Sequence, residues 1–249
     1  MAQDTDTKKE KKQGGLSETV KVILQALLLA VVVRTFLYQP FTIPSGSMMP
    51  TLLVGDYLFV SKFSYGYSRY SFPFGPDLFD GRIWAGDPKR GQIVVFKLPS
   101  NPSIDYIKRL VGLPGDKIQI IDGVMHINGT AIKREAKGTW TPEDGGPAIP
   151  VYVETLPNGV TYETLDVNPR AEGDNTPVFE VPPGHYFMMG DNRDNSLDSR
   201  FTVGFVPFEN LVGPASVIFF SVKNDAHPLA FWRWPSDMRV DRLFKGLSE

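Results

Sequence analysis

Ile43-Pro44-Ser45-Gly46-Ser47-Met48-Met49-Pro50-Thr51-Leu52 lies between the only strongly apolar segment of the chain and a long remainder rich in short apolar runs. Pro44 and Pro50 lack an amide donor and bias their neighbours toward extended backbone, so no helix passes through this stretch. Gly46 permits a sharp turn or a close backbone approach. Whatever helix precedes the stretch ends here, and a β-rich chain begins. Two hydroxyls, Ser45 and Ser47, stand one glycine apart on a rigid corner. Taken alone, the stretch is a Ser/Gly/Pro turn leading out of a helix.

Upstream, residues 1–17 are polar and carry Lys8, Lys9, Lys11 and Lys12, which reads as a disordered basic tail. Residues 18–38 read as a transmembrane anchor. The uninterrupted apolar core is shorter than the ~20 residues that usually span a bilayer. Lys21 and Arg34 snorkel toward the two interfaces, and Phe36 and Tyr38 suit the aromatic belt, which lengthens the usable segment. A cleavable signal peptide also has basic residues before an apolar run, but no small-x-small site precedes Arg34. A buried soluble helix leaves the basic tail unexplained. With the lysines before the anchor, the positive-inside rule puts the tail in the cytoplasm and everything after Tyr38 outside.

Downstream, the 42% apolar content of the 249 residues suffices for a sizeable core, and Gly 23 with Pro 21 implies many turns. A net charge of -2 gives no electrostatic argument for nucleic acid, and the absence of cysteine removes disulfides, zinc-thiolate sites and cysteine nucleophiles. Val54–Lys62 reads as turn then strand. Residues 63–87 form an irregular aromatic excursion in which Phe72, Phe74, Phe79 and Trp84 need a core, a partner or lipid. Gly91–Leu98 and Asp105–Gly112 read as strands, the second closed by the turn Leu113-Pro114-Gly115-Asp116. Asp122-Gly123 and Asn128-Gly129 punctuate alternating runs as hairpin turns do. From about Trp140 to Pro177 the chain becomes acidic and rich in Pro, Gly and Thr, with a further turn at Asn158-Gly159. Strands resume at Val178–Val181, Tyr186–Gly190 and Val217–Phe220, and Trp232 and Trp234 close an amphipathic tail. The expectation is a mainly β protein with one N-terminal transmembrane helix. Its larger domain comprises residues 39–118 and 178–249, and residues 119–177 form a smaller inserted β-domain.

Histidine is the usual general base, and the chain has His126, His185 and His227. No pair has metal-ligand spacing. His185 lies nearest a polar cluster, which leaves a Ser47-His185-Asp191 triad open on arithmetic. Lysine is the alternative, because burial favours the neutral amine. Lys108 sits in Tyr106-Ile107-Lys108-Arg109-Leu110-Val111, where strand alternation sends Lys108 and Arg109 to opposite faces. The cluster Gly190-Asp191-Asn192-Arg193-Asp194-Asn195-Ser196-Leu197-Asp198-Ser199-Arg200 does not follow the calcium-loop frame. It suits a buried ion-pair network, with Asp191 and Asp198 holding Arg109 and Arg200 and the Ser196 hydroxyl fixing an amine.

Three stretches together, Pro44–Leu52, Asp105–Arg109 and Gly190–Ser196, resemble the bacterial type I signal peptidases. Lys89-Arg90-Gly91, Val111–Asp116 and Gly204-Phe205-Val206-Pro207 agree, and the match runs in order from about Arg34 to Val217. The chain departs from two-span members in having one anchor, and its inserted section is short and free of cysteine. The resemblance implies a membrane-bound serine endopeptidase of the bacterial inner membrane that removes signal peptides from exported preproteins, with no cofactor or metal. It implies Ser47 as nucleophile and Lys108 as general base. The Ser47 amide and the Ser45 hydroxyl would hold the oxyanion, and Ser196 would orient the lysine. Asp191, Asp198, Arg109 and Arg200 would support the site. The peptide would add to the edge of Phe41-Thr42-Ile43-Pro44-Ser45, where Ile43, Met48, Leu52, Tyr106 and Ile107 make a small apolar pocket. A self-cleaving regulator would need a soluble DNA-binding module in place of the anchor. A non-enzymatic exported scaffold would leave Ser47 and Lys108 apart or open to water.

Overall fold

The computed structural model describes residues 16–72, 75–76, 79–223 and 231–247. Most of the expected basic tail, Phe74 and His227 lie outside the described residues. Helix α1 (Leu16–Phe36) is the one helix among the described residues that is long and apolar enough to cross a membrane, and only 6% of its most apolar stretch is buried. Leu24, Leu28 and Leu29 are each at least 60% exposed, so the helix fills no protein core. It stops at Phe36, short of the expected boundary at residue 38, because the next backbone groups are claimed by the sheet. Lys62 N donates to Leu37 O at 2.9 Å, and Tyr38 opens strand β1 (Tyr38–Thr42). Around the helix end, Tyr67 Oη donates to Phe36 O at 2.7 Å, and the Phe72 ring packs edge-on to Phe36. Phe72 is therefore partly sheltered by the anchor itself, whereas Trp84 is 80% exposed.

Beyond β1 the strands are β2 (Asp56–Ser61), β3 (Ile93–Leu98), β4 (Asn101–Gly112), β5 (Lys117–Ile121), β6 (Val124–Ile127), β7 (Thr130–Ala131), β8 (Lys133–Trp140), β9 (Ile149–Thr155) and β10 (Thr161–Leu165). The chain returns through β11 (Phe179–Glu180), β12 (His185–Met189), β13 (Val206–Pro207) and β14 (Leu211–Ser221) to β15 (Lys245–Gly246). Among the described residues the protein is mainly β, in three sheets. The largest has the order β1-β2-β14-β3-β4-β12-β13, with β15 on the side of β14. The others are β10-β9-β8 and β11-β5-β6-β7. The last of these gathers the chain where it leaves the large sheet after β4 and where it rejoins before β12.

Both faces of the large sheet are covered, so β3 shows no polar alternation. Its Ile93 and Val95 join Ile43, Met48, Leu52, Leu58 and Val60 in one core, while Val94 and Phe96 join Tyr65, Leu110 and Met188 in another. A third core packs Ile118, Ile120, Met125 and Ile127 against Val111, Phe187 and Met189. Asp122-Gly123 and Asn128-Gly129 have positive φ at both positions, the backbone of the tight turn that matches strand twist. Strand β4 begins earlier than the reading from Asp105, because Asn101 already pairs with Leu98 across a short turn.

The C-terminal segment contains the helical turn α2 (Trp234–Asp237), and Trp232 is 70% exposed. Buried charge ties this segment down. Asp56, fully buried, accepts from Arg242 Nε at 2.9 Å, from Ser221 Oγ at 2.6 Å and from Leu53 N at 2.8 Å. Arg242→Ala leaves the Asp56 carboxylate buried without its counter-charge, and a loss of about 3–5 kcal/mol is expected. Thermal unfolding followed by near-ultraviolet circular dichroism checks this; an unchanged midpoint would show that the C-terminal clamp contributes nothing.

Candidate active site

Gly46–Met48 form a single 3-10 turn entered from extended Ser45. Its first closing bond is Met49 N to Gly46 O at 3.1 Å, so the Ser47 N–H has no acceptor inside the turn. Met48 and Leu52 are fully buried and Ile43 nearly so, and these three side chains root the turn in the core beneath it. They back the site, while Pro44 is exposed and Phe41, Tyr106 and Ile107 are half-buried at its surface.

Lys108 Nζ lies 2.5 Å from Ser47 Oγ and 3.1 Å from Ile107 O. The pair is buried, with Lys108 4% and Ser47 8% exposed. Burial lowers the Lys108 pKa to about 8, against an opposing pull from Asp198 and then Asp191. That pull is limited because each carboxylate already has its own guanidinium. Arg109 leaves β4 on the face opposite Lys108 and grips Asp191 with two bonds, Nε–Oδ1 at 2.8 Å and Nη2–Oδ2 at 2.6 Å. Arg200 grips Asp198 likewise at 3.0 and 2.9 Å. Such bidentate pairs fix geometry as well as charge.

The loop after β12 closes over the serine turn. Asn192 N donates to Ser47 O at 3.1 Å, Asn192 Nδ2 donates to Gly46 O at 3.0 Å, and Thr51 Oγ1 donates to Asp191 Oδ2 at 2.6 Å. Ser196 is buried, and its Oγ has no hydrogen-bond partner among the described residues; it rests against Gly190. Ser45 is exposed and makes no side-chain cap bond. His185 Nδ1 contacts Pro183 O and His126 Nδ1 contacts Val124 O, so each imidazole is engaged with its own turn.

Several residues here had no role in the sequence reading. Glu154 of β9 is fully buried and takes two bonds from Arg193, at 2.7 and 2.5 Å. Tyr162 of β10 donates to Glu154 at 2.9 Å, and burial, then the Glu154 charge, keeps its phenol protonated. The Tyr162 ring lies under the Arg109 guanidinium, 4.1 Å from centroid to carbon. The small sheet thus holds both the loop, through Arg193, and the lysine strand, through Arg109. Strand alternation sets Glu154 on the face opposite Val151 and Val153, and nothing in its sequence neighbourhood marks it as buried or names its partner. Lys89-Arg90-Gly91 and Leu113–Asp116 meet as well, with Arg90 Nη2 at 2.8 Å from Asp116 Oδ2 and Arg109 Nη1 donating to Gly91 O at 2.7 Å.

A family model described as signal peptidase, peptidase S26, matches residues 16–220. The chain belongs to this family. Signal peptidase I of Rickettsia typhi is 46% identical to it over 98% of the chain and 97% of the relative. Signal peptidase I of Rickettsia prowazekii is 47% identical over 89% and 90%. Among solved structures, a signal peptidase I from Enterococcus faecalis V583 is 26% identical, covering 51% of this chain and 96% of its own, with a TM-score of 0.31.

Two outcomes follow for this signal peptidase family member. A Cβ at residue 190 would lie 2.2 Å from Ser196 Oγ and 2.6 Å from Ser47 O, so Gly190→Ala must push the loop off the serine turn. Turnover of a peptide substrate is expected to fall by about 100-fold or more, as misplacement by an ångström does. Retained turnover would show that the loop does not position Ser47. Second, Lys108 can accept a proton only as the neutral amine, so a Lys108 base predicts activity that rises with pH toward its lowered pKa of about 8. A kcat/KM profile is expected to climb about tenfold per pH unit below that value and level above it. A profile already flat at neutral pH would contradict the assignment.

Proposed function

We propose that this protein is a membrane-bound endopeptidase in which Ser47 and Lys108 form a catalytic dyad that cuts signal peptides from exported preproteins. Family membership makes it a serine endopeptidase acting on signal peptides. The observation that carries the dyad is the 2.5 Å contact between a buried amine and a buried hydroxyl. With Lys108 neutral, the Ser47 hydroxyl donates to the nitrogen lone pair, and Oγ attacks the scissile carbonyl as its proton moves to Nζ. The oxyanion would sit between the Ser47 N–H, which has no acceptor inside its turn, and the exposed Ser45 hydroxyl. Lys108 then returns the proton to the leaving amine, and water repeats the sequence on the acyl-enzyme. Asp191, Asp198, Arg109 and Arg200 hold the frame; Ser196 Oγ is buried without a hydrogen-bond partner among the described residues and makes no bond to the amine, so the orienting role the resemblance gives it rests on the resemblance alone.

The peptide would lie along β1, which among the described residues is an edge strand paired with β2 alone, and place small side chains against Phe41, Pro44, Tyr106 and Ile107. Small residues at the first and third positions before the cut suit so shallow a wall. Helix α1 would cross the inner membrane once, with the lysine-rich N-terminus cytoplasmic and the β-domains on the outer side. The signal peptide and the site would then share one lipid boundary, which raises effective concentration. Residues 119–177 we treat as an insert whose small sheet steadies the catalytic loop.

The test is cleavage of a purified preprotein by wild type, Ser47→Ala, Lys108→Ala and His185→Ala, each in detergent. The first two substitutions are expected to abolish cleavage, and the third is expected to leave it within about two-fold. Activity surviving in Lys108→Ala would overturn the dyad, and loss in His185→Ala alone would point to a Ser-His enzyme.

A further inference from the structure

A cavity of about 720 Å³ opens where α1 meets the β-domain, and the chemistry assigned above uses none of its charges. Its wall includes Arg34 of α1, Lys62, Tyr70, Lys97, Ser103 and Asp105. Lys62 follows β2 directly and is 3% exposed. Its Nζ donates to Arg34 O at 3.3 Å and to Ser71 O at 2.5 Å, both backbone carbonyls. An ammonium has three donors, so one N–H remains for the cavity. Burial, then the charges of Arg34 and Lys97, lower the Lys62 pKa to about 8, with Asp105 opposing. Among the described residues Asp105 is the only carboxylate in the wall, and Lys97 already holds it at 2.9 Å. In a chain of net charge -2 this is a local excess of cation.

We propose that this cavity binds the phosphate headgroup of an anionic phospholipid from the leaflet at which α1 leaves the bilayer. Position and chemistry both favour it. The apolar run Leu27–Val33 ends at Arg34, so the cavity lies at the depth where a helix passes from hydrocarbon to headgroups. Phosphate oxygens satisfy the Lys62 N–H and the Arg34 guanidinium together. Val31, Phe41 and Phe72 offer an apolar side for the first carbons of the acyl chains. A signal peptide passing along β1 reaches the same mouth, but an apolar peptide would leave these cations unmatched. A lipid here would fix the height of the β1 edge above the membrane. The inference rests on α1 being an anchor, which carbonate extraction of membranes tests separately.

Full-length protein in detergent is titrated with phosphatidylglycerol, phosphatidylcholine and glycerol 3-phosphate, and bound species are resolved by native mass spectrometry. One phosphatidylglycerol is expected to bind, more tightly than phosphatidylcholine. Arg34→Gln and Lys97→Gln are each expected to weaken it roughly five-fold. Arg34 is exposed on α1, so its substitution leaves folding out of the question; the buried Lys62→Gln is read beside its thermal midpoint. Equal affinity for the two lipids, or phosphatidylglycerol binding unchanged in both Arg34→Gln and Lys97→Gln, overturns the proposal. Equally tight glycerol 3-phosphate makes this a soluble-anion site and also overturns it. So does displacement of the lipid by a signal-peptide analogue bound to Ser47→Ala, which assigns the cavity to peptide.

Discussion

Lys108 is enclosed by protein without a carboxylate in contact, and its neighbours within hydrogen-bond distance are one hydroxyl and one backbone carbonyl. Removing an ammonium from water on those terms is unfavourable, whereas a neutral amine is tolerated far better. The fold therefore lowers the pKa of this side chain through solvation. The two nearby acids would undo that if they were free to act on it. They are bound instead to Arg109 and Arg200, at sites that are themselves buried, so most of their field is spent locally.

This arrangement explains why so much charge is gathered around a small apolar turn. Each acid–base pair fixes the position of a backbone segment, and each segment contacts the serine turn or the lysine strand. Asp198 also accepts from Gly190 N at 3.0 Å, which draws the start of the loop inward. Glu154, Arg193 and Tyr162 extend the network into the small sheet, where Leu165 N donates to Asp191 O at 2.9 Å. A buried pair of this kind adds little net stability, but breaking one member is severe. Its physical value here is that the loop has a single position available to it. The same logic appears far from the site, where Asp56 and Arg242 pin the C-terminal segment.

Much of the architecture was legible because it depends on local rules. Proline on either side of Ser45-Gly46-Ser47 forbade a helix, and the chain turns there. Asp122-Gly123 and Asn128-Gly129 demanded positive φ, and both hairpins close at them. Helix α1 ends at Phe36 because Leu37 and Tyr38 are recruited by β2, a partner their own neighbourhood does not reveal. The early start of β4 was missed for a related reason: Asn101 and Pro102 look like a loop until Leu98 pairs across them. Ile43, Met48 and Leu52 were placed in a pocket wall on apolarity alone, and a core residue and a pocket residue have the same composition.

By itself the sequence determined the order of elements, the single apolar helix, the turn chemistry, and the short list of groups able to act as nucleophile or base. Those follow from backbone sterics, periodicity and intrinsic reactivity, which act within a few residues. Only the tertiary structure decided that residues sixty-one positions apart share one proton's reach and that Glu154 lies beneath the loop after β12. Distance through space, and the exclusion of water that comes with it, depend on how sheets pack, and no local pattern encodes that.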